Sequence, residues 1–122
     1  MDNGSYKDLL IKRTYQFSLE TLRLIDDISQ KSFSTQTISK QLVRSATSIG
    51  ANVVEAQASS SKKDFANFLN HALKSANETE YWLKLLKDSN ALVDSRIDQL
   101  INESNQLAKM LGSSVAKMRK NF

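Results

Sequence analysis

Arg44, Asn52 and Glu55 are the polar groups best placed to do something specific, because they interrupt the least polar stretch of the chain, TQTISKQLVRSATSIGANVVEAQASS from Thr35 to Ser60. Arg44 and Glu55 are eleven residues apart, close to three helical turns, so they lie on nearly one face at about 16 Å. That separation is too great for them to pair with each other. Each is expected to form a buried polar link to another helix or subunit, with Glu78 as a candidate partner, since a buried charge needs one. A network that fixes register is preferred over a ligand site. Tyr81 and Trp82 follow Glu78 closely and suit a core edge or interface better than a platform for nucleic-acid bases.

Catalytic chemistry finds no support. A carboxylate di-metal centre in a helical bundle needs inward glutamates and Glu-x-x-His pairs on two helices, whereas His71 is the single histidine. Beside Asn70 it reads as a partly exposed polar residue and not as a metal ligand. Nucleophilic catalysis needs a base held against a hydroxyl or thiol, and the serines here fall in caps, loops and packing positions. No glycine-rich phosphate loop, Walker lysine or dinucleotide fingerprint is present. The chain is expected to be a non-enzyme with no catalytic residues, metal or cofactor.

The basic side chains Lys7, Lys12, Arg13, Lys40, Arg44, Lys62, Lys63, Lys117, Arg119 and Lys120 outnumber nearby acids toward several helix ends. All but Lys7 and Arg44 are nominated as nucleic-acid contacts. Seventeen Lys and Arg against thirteen Asp and Glu give a net charge of +4 and a pI near 9.4, a balance that favours polyanions modestly. The start of the first helix and the end of the fourth are expected at opposite poles of the bundle. One copy would then not gather these cations, and a ring of copies would be needed to repeat each patch around an axis.

The elements that position these groups follow from composition. With no proline and three glycines in 122 residues, breakers are rare and long helices are expected, in one all-α domain spanning residues 1–122. The absence of cysteine excludes disulfides and thiolate metal sites and fits a reducing cytoplasm. No stretch approaches the roughly 18 apolar residues of a membrane span, and no secretory leader is evident. A soluble cytoplasmic protein without a membrane partner is expected.

Helical periodicity places four helices at about 6–31, 36–60, 62–88 and 95–120, after a polar tail at residues 1–5. The core stripes are Leu10, Thr14, Phe17, Thr21, Leu24, Ile28; then Leu42, Ala46, Ile49, Val53, Ala56; then Phe65, Phe68, Leu69, Ala72, Ala76, Thr79, Leu83, Leu86; then Ile97, Leu100, Ile101, Ser104, Leu107, Ala108, Leu111, Val115, Met118. Phe33 is expected to act as a hydrophobic staple before a cap at Ser34 or Thr35. Ser61 with Asp64 forms a capping box, Asp88-Ser89-Asn90 a stop, and Asp94 or Ser95 the last cap. Helices of this length joined by short loops make an up-down-up-down antiparallel four-helix bundle. Gly50, costly inside a helix, marks a place where another backbone or a subunit comes close. With only Lys40, Arg44 and Glu55 charged between Thr35 and Ser60, that helix is poorly suited to face water. A closed cyclic oligomer with interfaces built largely from this helix is expected.

The segments QLVRSATSIGANVVEA and SKKDFANFLNHALKSANETEYWLKLL resemble the bacterial four helix bundle protein family. That family includes proteins encoded in intervening sequences of large-subunit ribosomal RNA genes, and it is similar to the accessory variability protein of diversity-generating retroelements. The matching positions are Arg44, Ser45, Ser48, Ile49, Asn52, Glu55, Asp64, Phe65, Glu78, Tyr81, Trp82 and Leu83. Many relatives carry proline where this chain has Gly50 and glycine where it has Ala56. The resemblance implies a homopentamer with a basic surface. For the retroelement relative it implies binding to nucleic acid and to a reverse transcriptase, a partner that applies here if the gene belongs to a retroelement. The expected function is a non-catalytic oligomeric adaptor that associates with RNA or DNA. The alternative is a structural or protein-binding scaffold with no role on nucleic acid.

Overall fold

The computed structural model describes residues 3–90 and 94–120, which form four helices: α1 Asn3–Asp27, α2 Phe33–Ala56, α3 Lys62–Asn90 and α4 Ser95–Arg119. Each helix packs on the next, and α4 returns to pack on α1. Cross-helix pairs fix the directions. Ser18 Oγ donates to Ala46 O at 3.3 Å and a Cβ on Gly50 would lie 3.3 Å from Thr14 O, so α1 and α2 run antiparallel. Tyr6 meets Ser114, Arg13 meets Glu103 and Asp27 meets Arg96, which makes α4 and α1 antiparallel as well. The fold is the all-α up-down-up-down bundle that the periodicity predicts.

The core is built from the predicted stripes. Phe17, Leu24, Leu42, Ile49, Leu83, Leu86, Leu107 and Leu111 are fully enclosed. Threonines on the α1 stripe are tolerated because each hydroxyl donates back to its own helix, Thr14 to Leu10 O at 2.8 Å and Thr21 to Phe17 O at 2.9 Å, which satisfies a buried polar group locally. Between α2 and α3 the small residues Ser45, Ala46, Ala72 and Ala76 are buried, and Thr79 Oγ1 donates to Ser45 Oγ at 2.9 Å across the interface. Gly50 is explained by close approach. Its missing Cβ leaves room for the Thr14 backbone, as its place in the helix suggests.

Several local expectations are corrected. The tail at 1–5 is not a tail where it is described: Asn3 to Ser5 are helical, held by Tyr6, whose hydroxyl reaches α4. The end of α1 falls at Asp27 and not near 31. The α2 cap is Ser32, whose side chain accepts from Thr35 N at 2.9 Å, so α2 starts at Phe33, three residues before its expected start at 36. Phe33 is 83% exposed and staples nothing. The α2 helix ends at Ala56 and not near 60, and α3 ends at Asn90, the last residue of the Asp88-Ser89-Asn90 stop and two residues beyond the expected 88. Ser61 caps α3 as expected, accepting from Asp64 N at 3.0 Å, while Asp64 reaches back to Ser60 N at 3.3 Å. Asp94 caps α4.

Candidate nucleic-acid interface

A chain of four antiparallel helices returns to the pole at which it began, because the number of traversals is even. The expectation that α1 begins and α4 ends at opposite poles is therefore wrong. The first turns of α1, the end of α2, the start of α3 and the last turn of α4 surround a single groove. Lys7 comes from α1, Lys62 and Lys63 from the first turn of α3, and Lys117, Arg119 and Lys120 from the end of α4, where the helix dipole favours cations. A single copy thus gathers six cations at one end, against Asp8, Glu55 and Asp64 from the same helical turns.

Lys7, Lys62, Lys63, Arg119 and Lys120 are exposed, and among the described residues none of these five forms an ion pair. The opposite pole has no such excess of cations. Asp26, Asp27, Asp88, Asp94 and Asp98 fall there, and two of its cations are paired internally: Arg96 binds both Asp94 and Asp27, and Lys87 binds Asp98 at 2.6 Å, while Lys31 and Arg23 are exposed. The hydrogen bond to Arg96 and the Arg96 backbone amide hold the Asp94 carboxyl below the usual carboxylate range, while Asp98 raises the Lys87 ammonium. The excess of cations is therefore confined to one end of the bundle, and the other end is close to balanced.

The remaining nominated cations do not join the patch. Arg13 is half-buried and clamps α1 to α4, with Nε donating to Glu103 Oε2 at 3.0 Å, Nη2 to Glu103 Oε1 and to Gln106 Oε1, and Nη1 to Met110 Sδ at 3.3 Å. Its hydrogen bonds to Glu103 raise the guanidinium pKa further. Lys12 is exposed beyond the second turn of α1. Lys40 is exposed on α2 in the half of the bundle nearer the opposite pole.

The polar residues of α2 are only partly brought together. Arg44 pairs with Glu78 of α3 and also donates to Gln41 at 3.2 Å; the same Glu78 oxygen accepts from Trp82 Nε1 at 2.8 Å. Tyr81 and Trp82 meet edge to face, ring centroids 5.1 Å apart. Burial, however, is absent within one copy: the Arg44 side chain is 57% exposed. Asn52 turns back to Ser48 O on its own helix at 2.8 Å. Glu55 is exposed, and no side-chain partner is recorded for it among the described residues. His71 is exposed, and no group of His, Cys, Asp and Glu able to hold a metal ion occurs among the described residues. No described helix is long and apolar enough to cross a membrane.

Tyr6, Ser113 and Ser114, which line the groove at the basic pole, were not singled out from sequence. The signal that finds them is helix parity, which sets residue 6 beside residue 114.

Comparison with known proteins agrees with this architecture. Residues 7–113 match the family model described as 23S rRNA-intervening sequence protein. A crystal structure of a protein of unknown function from the S23 ribosomal protein family of Bacteroides thetaiotaomicron is similar at 37% identity and a TM-score of 0.81, covering 91% of this chain and 98% of that one. No curated protein sequence matches significantly.

Proposed function

The chain belongs to the 23S rRNA-intervening sequence protein family, and from that premise we propose that it is a non-catalytic, oligomeric adaptor that holds nucleic acid against its basic pole. The observation that carries the reading is the convergence of Lys7, Lys62, Lys63, Lys117, Arg119 and Lys120 on one end of the bundle, where they outnumber Asp8, Glu55 and Asp64. Such a local excess of positive charge draws a polyanion end-on to this pole. The helix termini at this pole carry phosphate-neutralising charge and no element shaped to enter a groove and read base edges, so binding is through phosphates with little sequence preference.

Assembly multiplies the effect. The α2 helix carries three charges between Thr35 and Ser60, and Ala51 and Val54, the latter 55% exposed, are presented beside the α1–α2 groove at Gly50. A closed homo-oligomer, a pentamer, covers that face and repeats the basic pole around its axis, so several weak contacts act together. A scaffold that binds protein alone is the second reading, favoured by the exposed Tyr81 and its neighbours Arg44 and Trp82.

The test is RNA and DNA binding as a function of salt. Affinity is expected to fall with a log-log slope of about −0.7 to −0.9 per phosphate contact. The double variant Lys62→Glu, Lys63→Glu should flatten that slope, and Lys40→Glu should leave it nearly unchanged. Binding absent at low salt, or insensitive to salt, leaves the protein scaffold in front.

A further inference from the structure

At the basic pole the helix ends leave an open groove of ≈ 590 Å³, within the range of about 300–1,000 Å³ common for small-molecule sites. Its floor is apolar, with Leu10, Phe65, Leu69 and Met118, and Lys7 and Lys117 stand among its lining. Tyr6 forms one wall. Its hydroxyl lies 2.9 Å from Ser114 Oγ and 3.2 Å from Met110 O, which pins a ring that would otherwise rotate at the end of a helix.

Cations beside an apolar, aromatic floor match a ligand that is anionic on one side and flat and apolar on the other. A duplex offers only the first property, since its bases are stacked on each other and cannot enter. A nucleotide in a single strand offers both. Building on the proposed association of nucleic acid with this pole, we infer that the groove seats an unpaired base of single-stranded RNA, its ring against Tyr6 and Phe65 and the flanking phosphates on Lys7 and Lys117. Every base presents a π-face, so the selection is for unpaired over paired strands and is tolerant of sequence.

The experiment titrates the full chain with a fluorescent single-stranded RNA of about ten nucleotides, a span that one such site and its flanks accommodate, and with the matching duplex at the same ionic strength. The single strand is expected to bind about tenfold more tightly, the worth of roughly one stacked base, although the duplex has the higher charge density. Ser113→Trp, at an exposed groove-lining position, fills the site without entering the core and should abolish the preference while leaving duplex affinity and its salt slope in place. Phe65→Leu keeps apolar packing but removes a ring, and should weaken the single strand alone. Equal affinity for both strands, or a preference that survives both variants, overturns the inference and leaves phosphate binding intact. Failure of both strands to bind at low salt overturns the inference together with the reading beneath it.

Discussion

Tyr6 and Ser114 stand 108 positions apart in the chain and 2.9 Å apart in the fold. This contact closes the bundle between its first and last helices, and it turns cations that look scattered along the sequence into one pole. Lys7 lies one residue beyond Tyr6, and Lys117 three beyond Ser114. Charge at the two ends of the chain is thereby added, and the distribution follows from the parity of the helix count and not from any local motif.

The pole opposite these cations should make stability depend on pH at its acid end. Because the Arg96 hydrogen bond and backbone amide depress the Asp94 carboxyl in the fold, Asp94 contributes stability that is fully present above the unfolded carboxylate value of about 3.9. That contribution is lost as pH falls through the lower folded value. Asp94→Asn preserves an N-cap oxygen and removes the charge. Thermal melts should separate the two proteins at neutral pH and bring them together in acid. Parallel curves down to the lowest pH would refute the assignment.

The two interior glycines should respond differently to alanine. A Cβ on Gly112 would meet Leu73 Cδ1 and Cδ2 at 3.9 Å, an ordinary contact, whereas one on Gly50 would meet Thr14 O at 3.3 Å. Relief of glycine's helix penalty is worth about 1 kcal/mol, so Gly112→Ala should raise the melting temperature. At Gly50 that gain is offset because the α1 backbone must move away, and Gly50→Ala should be neutral or destabilising. Equal stabilisation by both would show that α1 and α2 are not in close contact at Thr14.

How much of this was legible in the sequence depends on the range of the interaction. Stripes such as Leu42, Ala46, Ile49, Val53 and Ala56 were readable because helical burial repeats every three to four residues, and all five are fully enclosed. Caps at Ser61 and Asp94 were readable for the same local reason. The start of α2 was misplaced because Ser32, Ser34 and Thr35 are all competent caps, and the choice rests on how the chain leaves α1. Arg44 with Glu78 was reachable, since both are polar groups on helices that must be neighbours. Burial of that pair was not, because exposure depends on what covers α2 and α3 from outside. Arg13 was misread as an available cation because Glu103, which holds it, lies 90 positions away.

The Arg44–Glu78–Trp82 cluster separates folding from assembly. In one copy the ion pair is exposed, 57% and 36% for the two side chains, and an exposed pair contributes about 0–1 kcal/mol. Arg44→Ala and Glu78→Gln should therefore barely change unfolding of the dissociated chain, and Glu55→Ala, which removes no intramolecular partner, should change it least. If subunits cover this face, the same groups become enclosed, and removing one partner then strands the other at a cost of about 3–5 kcal/mol. Light scattering across a dilution series should show Arg44→Ala and Glu78→Ala dissociating at much higher concentration than the unaltered protein, with the emission of Trp82 moving to the red in Glu78→Ala as its indole loses its acceptor and meets water. A monomeric mass for the unaltered protein at micromolar concentration would remove the oligomer from the proposal. Full assembly of both variants with loss of nucleic-acid or protein binding would instead make this cluster a contact surface for the partner.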